Sequence, residues 1–300
     1  MKVFAGVDIG GTTTQVALCA EDLTVVDRLE TATPAAVGGA AMTGAALAAV
    51  RLLLDRNDAR LLGVGVGAAG VVDAVGGRVL VASDSFRGWA GFAVTAAFEA
   101  ALGVPAFLDN DVNAFLRGEA TAGAVAGERH VLGMTLGTGV GGALWLNGAL
   151  YDGPHGAAGE IGHVPGFGEL PCTCGGRGHL ETLASGRAIA ARYGERTGRA
   201  VSAREVAAAA DPDALAVYED AGAAVARALL VTAGLLDVTT VVLGGGVTRA
   251  WHLLAPPVHH ALAAEPPVSG RQLRVLPALL GGDAVVVGAA ARVRAELGGG

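Results

Sequence analysis

Lysine is all but missing from this chain: Lys2 is the only one, so arginine supplies the other 20 of its 21 basic residues. With abundant Ala and Gly, this points to a GC-rich coding sequence and says nothing of chemistry. Twenty-eight Asp and Glu leave a formal net charge of −7, which gives no electrostatic footprint for nucleic acid or an anionic membrane. Cysteine is scarce as well, and Cys19, Cys172 and Cys174 do not make a disulfide framework. Only 16% of the residues are charged while 52% are hydrophobic, a balance opposite to that of disordered chains. Also lacking is the unbroken run of about 20 strongly apolar residues that a spanning helix needs. Mean hydropathy is high, at +0.50, but Pro34 breaks Thr31–Val50 and glycines from Gly133 to Gly148 break Val131–Tyr151. Asp8 falls where an apolar signal segment should be building. A soluble, cytoplasmic protein is expected, and 300 residues suggest two domains.

What is present is a repeated pattern. Val3 to Ile9 is a short apolar strand, Gly10, Gly11 and Thr12 to Thr14 turn it, and Val16 to Cys19 returns. A hairpin fits this better than a P-loop or Rossmann unit, which puts a helix after its glycines, and the Walker lysine is absent. The pattern recurs at Val131 to Leu136, Gly137-Thr138-Gly139 and Gly141 to Leu146. Two copies, one opening each half, suggest an internally duplicated fold. Helices are expected over about 44–56, 92–102, 114–126, 185–197, 213–236, 252–264 and 284–297. Strands are expected over about 62–67, near Val79, and over 104–108, 241–243 and 273–276, which makes the chain α/β.

Glycine turns expose backbone N–H groups and admit phosphate oxygens where a Cβ would block them. Asp8 at a strand end suits a hydrated Mg²⁺, Thr12 and Thr138 offer hydroxyls at matching places, and Gly244-Gly245-Gly246 suits an adenosine. Asp109-Asn110-Asp111 follows a buried strand. It reads either as a helix N-cap or as a carboxylate and amide that hold a pair of hydroxyls and take a proton from one of them, with Asp111 as the base. Cys172, Cys174, His179 and His163 supply four ligands, the number a closed tetrahedral zinc site needs, and C-x-C spacing disfavours a disulfide. Glu160 and Glu181 flank that cluster and are free to hydrogen-bond a polyol. His130, His155, His252, His259 and His260 have no partners at telling spacings, Cys19 reads as core, and Trp89 reads as core or as a stacking platform, with core preferred.

On Asp8-Ile-Gly-Gly-Thr12, Leu136-Gly-Thr-Gly-Val-Gly-Gly142, Gly159-Glu-Ile-Gly-His163 and Cys172-x-Cys-Gly-x-x-Gly-His179-x-Glu181, the chain resembles the ROK family (repressors, open reading frames and sugar kinases) over essentially its whole length. The resemblance implies a two-domain actin-like ATPase fold of ribonuclease H type with an interdomain cleft. Its lobes would be 1–113 with the terminal helix 284–300, and 114–283 with a zinc loop over 163–181. It implies an ATP-dependent kinase acting on the 6-hydroxyl of glucose or of an amino sugar such as kanosamine, N-acetylmannosamine or N-acetylglucosamine. Fructokinase and a non-catalytic sugar-sensing regulator are the alternatives, and polyphosphate remains open as donor.

Gly70, Asn110, Asp111, Glu160, His163 and Glu181 would bind the sugar, with Asp111 catalytic. Asp8, Gly10, Gly11, Thr12, Thr138, Gly139, Gly244, Gly245 and Gly246 would bind ATP with Mg²⁺. His163, Cys172, Cys174 and His179 would hold structural Zn²⁺. His179 stands where the family motif has its third cysteine. In Ser83-Asp-Ser-Phe-Arg-Gly-Trp89, Ser85 stands where an Asn usually precedes Gly-Trp by three. A homodimer is implied, with no nucleic-acid partner. Only seven residues precede Asp8, so no helix-turn-helix is expected there.

Overall fold

The computed structural model describes residues 1–83 and 85–298; Asp84, inside the segment from Ser83 to Trp89, and residues 299–300 of the expected terminal helix lie outside the described residues. The chain forms two compact units: Met1–Glu128 with Leu150–Ala158 and Leu279–Gly300, and Arg129–Ala149 with Gly159–Ala278.

In the first unit, β1 (Lys2–Ile9) and β2 (Thr13–Cys19) make the expected hairpin, and β3 (Val25–Ala32) extends it antiparallel. After α1 (Gly39–Asn57) the chain returns as β4 (Arg60–Ala68), parallel to β1. A ribbon of β5 (Val71–Asp73) and β6 (Arg78–Val81) follows, then α2 (Val94–Leu102), β7 (Ala106–Asn110) and α3 (Asp111–Ala122). The sheet order is β3-β2-β1-β4-β7. α2 stops at Gly103, whose φ of 67° lets its N–H reach the Glu99 carbonyl at 2.9 Å. Asp8, Gly67 and Asp109 lie side by side across β1, β4 and β7. The three parallel strands therefore end level, and α/β proteins place their working groups at such carboxyl ends.

The second unit repeats this plan. β8 (Val131–Leu136) and β9 (Val140–Leu146) form a hairpin, with β10 (Ala149–Leu150) beside β9. Helices α4 (Glu181–Ala184), α5 (Gly186–Thr197), α6 (Ala203–Ala209) and α7 (Pro212–Leu236) lead to β11 (Thr240–Gly244). α8 (Trp251–Ala264) and β12 (Arg274–Pro277) complete it. β11 pairs parallel with both β8 and β12, so the order β10-β9-β8-β11-β12 mirrors that of the first sheet. The duplication read from the two glycine hairpins extends to the whole of each sheet.

The last helix, α9 (Ala284–Gly298), belongs to the first unit. One face of that sheet buries Val3, Val7, Val64 and Val66 against Met42 and Leu53 of α1 and Phe98 of α2. The other face packs Phe4, Ala17 and Cys19 against Val286, Val287 and Ala290 of α9, with glycines where the helix comes closest. A Cβ on Gly6 would overlap the Val286 carbonyl oxygen, and one on Gly65 that of Ala289. α9 thus lies with its backbone almost on the strands. It meets α3 as closely, because a Cβ on Gly118 would overlap the Ala284 carbonyl and one on Gly288 that of Ala114. This packing explains why α3 groups with the N-terminal unit, where the sequence reading divides the lobes at 113/114. Among the described residues no helix is long and apolar enough to cross a membrane.

Candidate active site and metal centre

Asp111 opens α3, and Asn110 fixes it there. The Asn110 Oδ1 accepts the N–H groups of Val112 at 2.8 Å and Asn113 at 3.2 Å, so the N-cap reading holds. Its Nδ2 donates to the Gly70 carbonyl at 2.9 Å. One side chain therefore caps the helix and ties it to the turn after β4, where Gly70 takes a φ of 107°. Gly67 leaves room for this arrangement, since a Cβ there would stand 3.6 Å from the Asp111 Cα and much closer to Val285. On the neighbouring strand the Asp8 carboxyl is pushed up to about 7, by burial first and by the negative charge of Asp111 second. Two carboxylates in one field suit a divalent cation, or a proton held by one of them. Beyond Asp8, the Gly10 N–H donates to the Thr13 carbonyl at 3.1 Å, and Thr12 is exposed in the turn.

In the second unit the glycine loops converge. The Gly137 N–H donates to the Gly139 carbonyl at 2.9 Å, and the Gly137 carbonyl accepts the Gly186 N–H at 2.8 Å. Gly245, with a φ of 91°, lies against the backbone of Leu136, so Gly244–Gly246 sits beside the Gly137-Thr138-Gly139 turn. A Cβ on Gly139 would overlap Glu181 Oε2, and that oxygen accepts the Val140 N–H at 3.0 Å. Glu181 Oε1 accepts from Thr173 Oγ1 at 2.9 Å and from Arg187 at 3.0 Å. The Glu181 carboxylate is thus anchored, with acceptor capacity left on Oε2. In Gly159-Glu-Ile-Gly-His163 both glycines press on β9, Gly159 against the Gly142 backbone and Gly162 against the Val140 carbonyl. Glu160 is left exposed and His163 half-buried.

His163, Cys172, Cys174 and His179 each offer a ligand atom, and the four atoms lie within 4.8 Å of one another. Cys172 Sγ is 3.7 Å from His163 Nδ1, and Cys174 Sγ is 3.2 Å from His179 Nδ1. A zinc tetrahedron with bonds of about 2.3 Å to sulfur and 2.0–2.1 Å to nitrogen has an S–N edge of about 3.5 Å, and the two pairs fall on either side of it, within about 0.3 Å. A tight turn presents the thiols, with the Cys172 N–H on the Gly176 carbonyl at 2.8 Å and the Gly175 N–H on the Cys172 carbonyl at 3.0 Å. His179 reaches from outside that turn, and a Cβ on Gly176 would strike its ring. The donor set and spacing fit Zn²⁺.

Trp89 is fully buried and donates to the Ala69 carbonyl at 3.2 Å, and Cys19 is buried with its thiol pushed up to about 12. His130, His155, His252, His259 and His260 are exposed. Sequence reasoning misses Thr173, which lies within the motif stretch, and Arg187, six residues beyond its end. It also misses Arg117 and Arg292, which flank Asp109 from α3 and α9. No sequence spacing links residue 292 to residue 109.

The ROK family model matches residues 4–296. The chain is 34% identical to the glucokinase of Halalkalibacterium halodurans over 95% of its own length and 93% of that protein's. It is 32% identical to the N-acetylmannosamine kinase of Citrobacter koseri over 95% and 96%. Its structure is similar to that of a ROK family glucokinase from Streptomyces griseus in complex with glucose and AMPPNP, at a TM-score of 0.86 and 29% identity, covering 97% of this chain and 99% of that one. The matched sheets, the glycine hairpins and the Cys/His loop leave one conclusion: the chain has the two-domain actin-like ATPase fold and belongs to the ROK family.

Proposed function

We propose that this protein is an ATP-dependent kinase for the 6-hydroxyl of a hexose, with glucose or an amino sugar such as kanosamine, N-acetylmannosamine or N-acetylglucosamine as acceptor. That it is a phosphotransferase with an alcohol acceptor follows from its glucokinase relatives. The sugar is the finer reading, and the N-acetylmannosamine kinase relative keeps the amino sugars in the set.

The observation that carries the chemistry is Asp111. It opens a helix at the carboxyl end of the parallel strands β1, β4 and β7, beside a capping amide, within the electrostatic reach of Asp8. In the proposed reaction Asp111 accepts the proton of the sugar hydroxyl as that oxygen attacks the γ-phosphate in line. Asn110, Glu160, His163 and Glu181 hydrogen-bond the remaining hydroxyls, beside the Gly70 backbone. Gly10, Gly11, Thr12, Thr138, Gly139 and Gly244–Gly246 hold the nucleotide, and Asp8 holds its Mg²⁺, which offsets charge on the transferred group. Zn²⁺ on His163, Cys172, Cys174 and His179 orders the loop that carries two of the sugar ligands. The family resemblance adds a cytoplasmic homodimer to this reading.

The test is a coupled assay over a hexose panel with ATP and with polyphosphate, repeated on Asp111→Asn. A general base contributes about 10²–10⁴ in rate. The variant should lose at least about 100-fold in kcat while its sugar Kd stays within a few-fold of wild type. Near-normal turnover by Asp111→Asn would remove Asp111 from the mechanism. No turnover by the wild type on any sugar would favour the sensor reading.

A further inference from the structure

The strand end that carries the Asn110-Asp111 turn is braced by a charged cluster that no motif announces. Among the described residues β7 is the edge of its sheet and pairs with β4 alone, so the carbonyls on its other side need other partners. Arg292 of α9 supplies one, donating from Nη1 to the Leu108 carbonyl at 2.8 Å. The same nitrogen ion-pairs with Asp109 Oδ1, and Nη2 reaches the Ala74 carbonyl at 3.5 Å. Asp109 Oδ2 takes Arg117 Nε at 3.1 Å, from a point two turns into α3. The Asp109 side chain is 2% exposed, and those of Arg292 and Arg117 are 13% and 19% exposed. The other charged groups here are Asp152, bonded at Oδ1 to Asn113 Nδ2 at 2.9 Å, and Glu296, 3.8 Å from Arg292 Nε. Asp109 and Asp152 balance the two guanidinium groups.

We infer that Asp109, Arg292 and Arg117 are positioning residues for the sugar-binding turn. Asp109 joins a clamp on the strand before that turn to a clamp on the helix after it, and Asn110 and Asp111 hang between the two. Arg292 Nη1 holds both the Leu108 carbonyl and the Asp109 carboxylate while Nη2 reaches the Ala74 carbonyl, so the planar guanidinium spans acceptors that a lysine ammonium, a single point charge, does not reach together. Placement of a reacting group matters steeply, since an error of about 1 Å far from the chemistry can cost about 100-fold in rate. This inference rests on Asp111 acting as proposed above.

The test is steady-state kinetics on Arg292→Lys and Arg292→Met, assayed well below the melting temperature measured for each, with Asp111→Asn alongside. The sugar KM of Arg292→Lys should rise at least 5-fold and its kcat fall at least 10-fold, with the ATP KM within 2-fold of wild type. Arg292→Met should be worse than Arg292→Lys on the same two parameters. A merely structural role predicts otherwise: a lower melting temperature, with kcat falling only as folded protein is lost and the sugar KM unchanged. That pattern, or kinetics within 2-fold of wild type, would overturn the inference. If Arg292→Met does not fold, Arg292→Lys decides alone. An active Asp111→Asn would overturn the catalytic reading instead, so the two failures are told apart.

Discussion

Asp8 carries a titration that belongs to the folded chain. Its carboxyl is raised from the usual 3.8 to about 7, with burial as the larger cause and the Asp111 charge as the smaller. Between those values the folded protein holds a proton that the unfolded chain has released. Stability from this group is therefore greatest near pH 4 and declines as pH climbs through 7. Thermal melts of the ligand-free protein from pH 5 to pH 8 should show that decline, and Asp8→Asn should flatten it. Asp152 is also raised, by burial first, so a shallower slope of the same sign should remain in the variant. Parallel slopes in the two proteins would show that the Asp8 proton does not matter to folding. Cys19, pushed up to about 12, stays protonated throughout this range and adds nothing.

Among the elements, α9 makes its closest approaches to the first sheet and to α3 at glycines. A Cβ on Gly288 would overlap the Ala114 carbonyl oxygen of α3, backbone against backbone, with no flexible group to give way. Gly288→Ala should cost about 3 kcal/mol in denaturant unfolding, the scale of overpacking in a tight core. Gly44 in α1 is the control. Nothing lies within 4 Å of its position for a Cβ, so Gly44→Ala should be neutral or stabilise by up to about 1 kcal/mol. Equal effects at the two sites would contradict the packing described. The loop from Pro171 to Glu181 is the other element with a sharp expectation. Protein purified without chelator should carry about one zinc per chain by elemental analysis, and Cys174→Ser should lower that content. An absence of zinc in the wild type would count against the centre.

The whole molecule was legible wherever residues that act together are also neighbours in sequence. Asp109-Asn110-Asp111, the two glycine hairpins and the Cys172–Glu181 stretch each announce themselves, because one turn carries the entire group. Val25–Ala32 does not: it contains Asp27, Arg28 and Glu30 and lacks an apolar run, yet it is a strand because it pairs as the edge of a sheet. The boundary of the first unit was hidden for a related reason. Its reach over α3 depends on helix backbones that meet through Gly118 and Gly288, whose partners are set by the fold. Glu119 is another case, fully buried and accepting the N–H groups of Ala124, Leu279 and Leu280 at 2.7, 3.1 and 2.8 Å. At this scale the prediction concerns ligands. A true acceptor sugar at 100 times its Kd should stabilise the protein by about 2.7 kcal/mol, visible as a raised melting temperature. Sugars on the panel that are not phosphorylated should leave it unmoved, and a shift shared by every hexose would point to unspecific binding.

The position of α9 has a consequence for biosynthesis. The first sheet leaves the ribosome early, with Phe4, Cys19 and the glycines of one face not yet covered by a helix. The whole second unit is translated before Ala284–Gly298 emerges to close that face. Until then the nascent chain exposes Gly6, Gly65 and their apolar neighbours, and Asp109 lacks Arg292. A message truncated before codon 284 would yield a product with its second sheet complete and its first sheet uncovered, a substrate for chaperones and proteases.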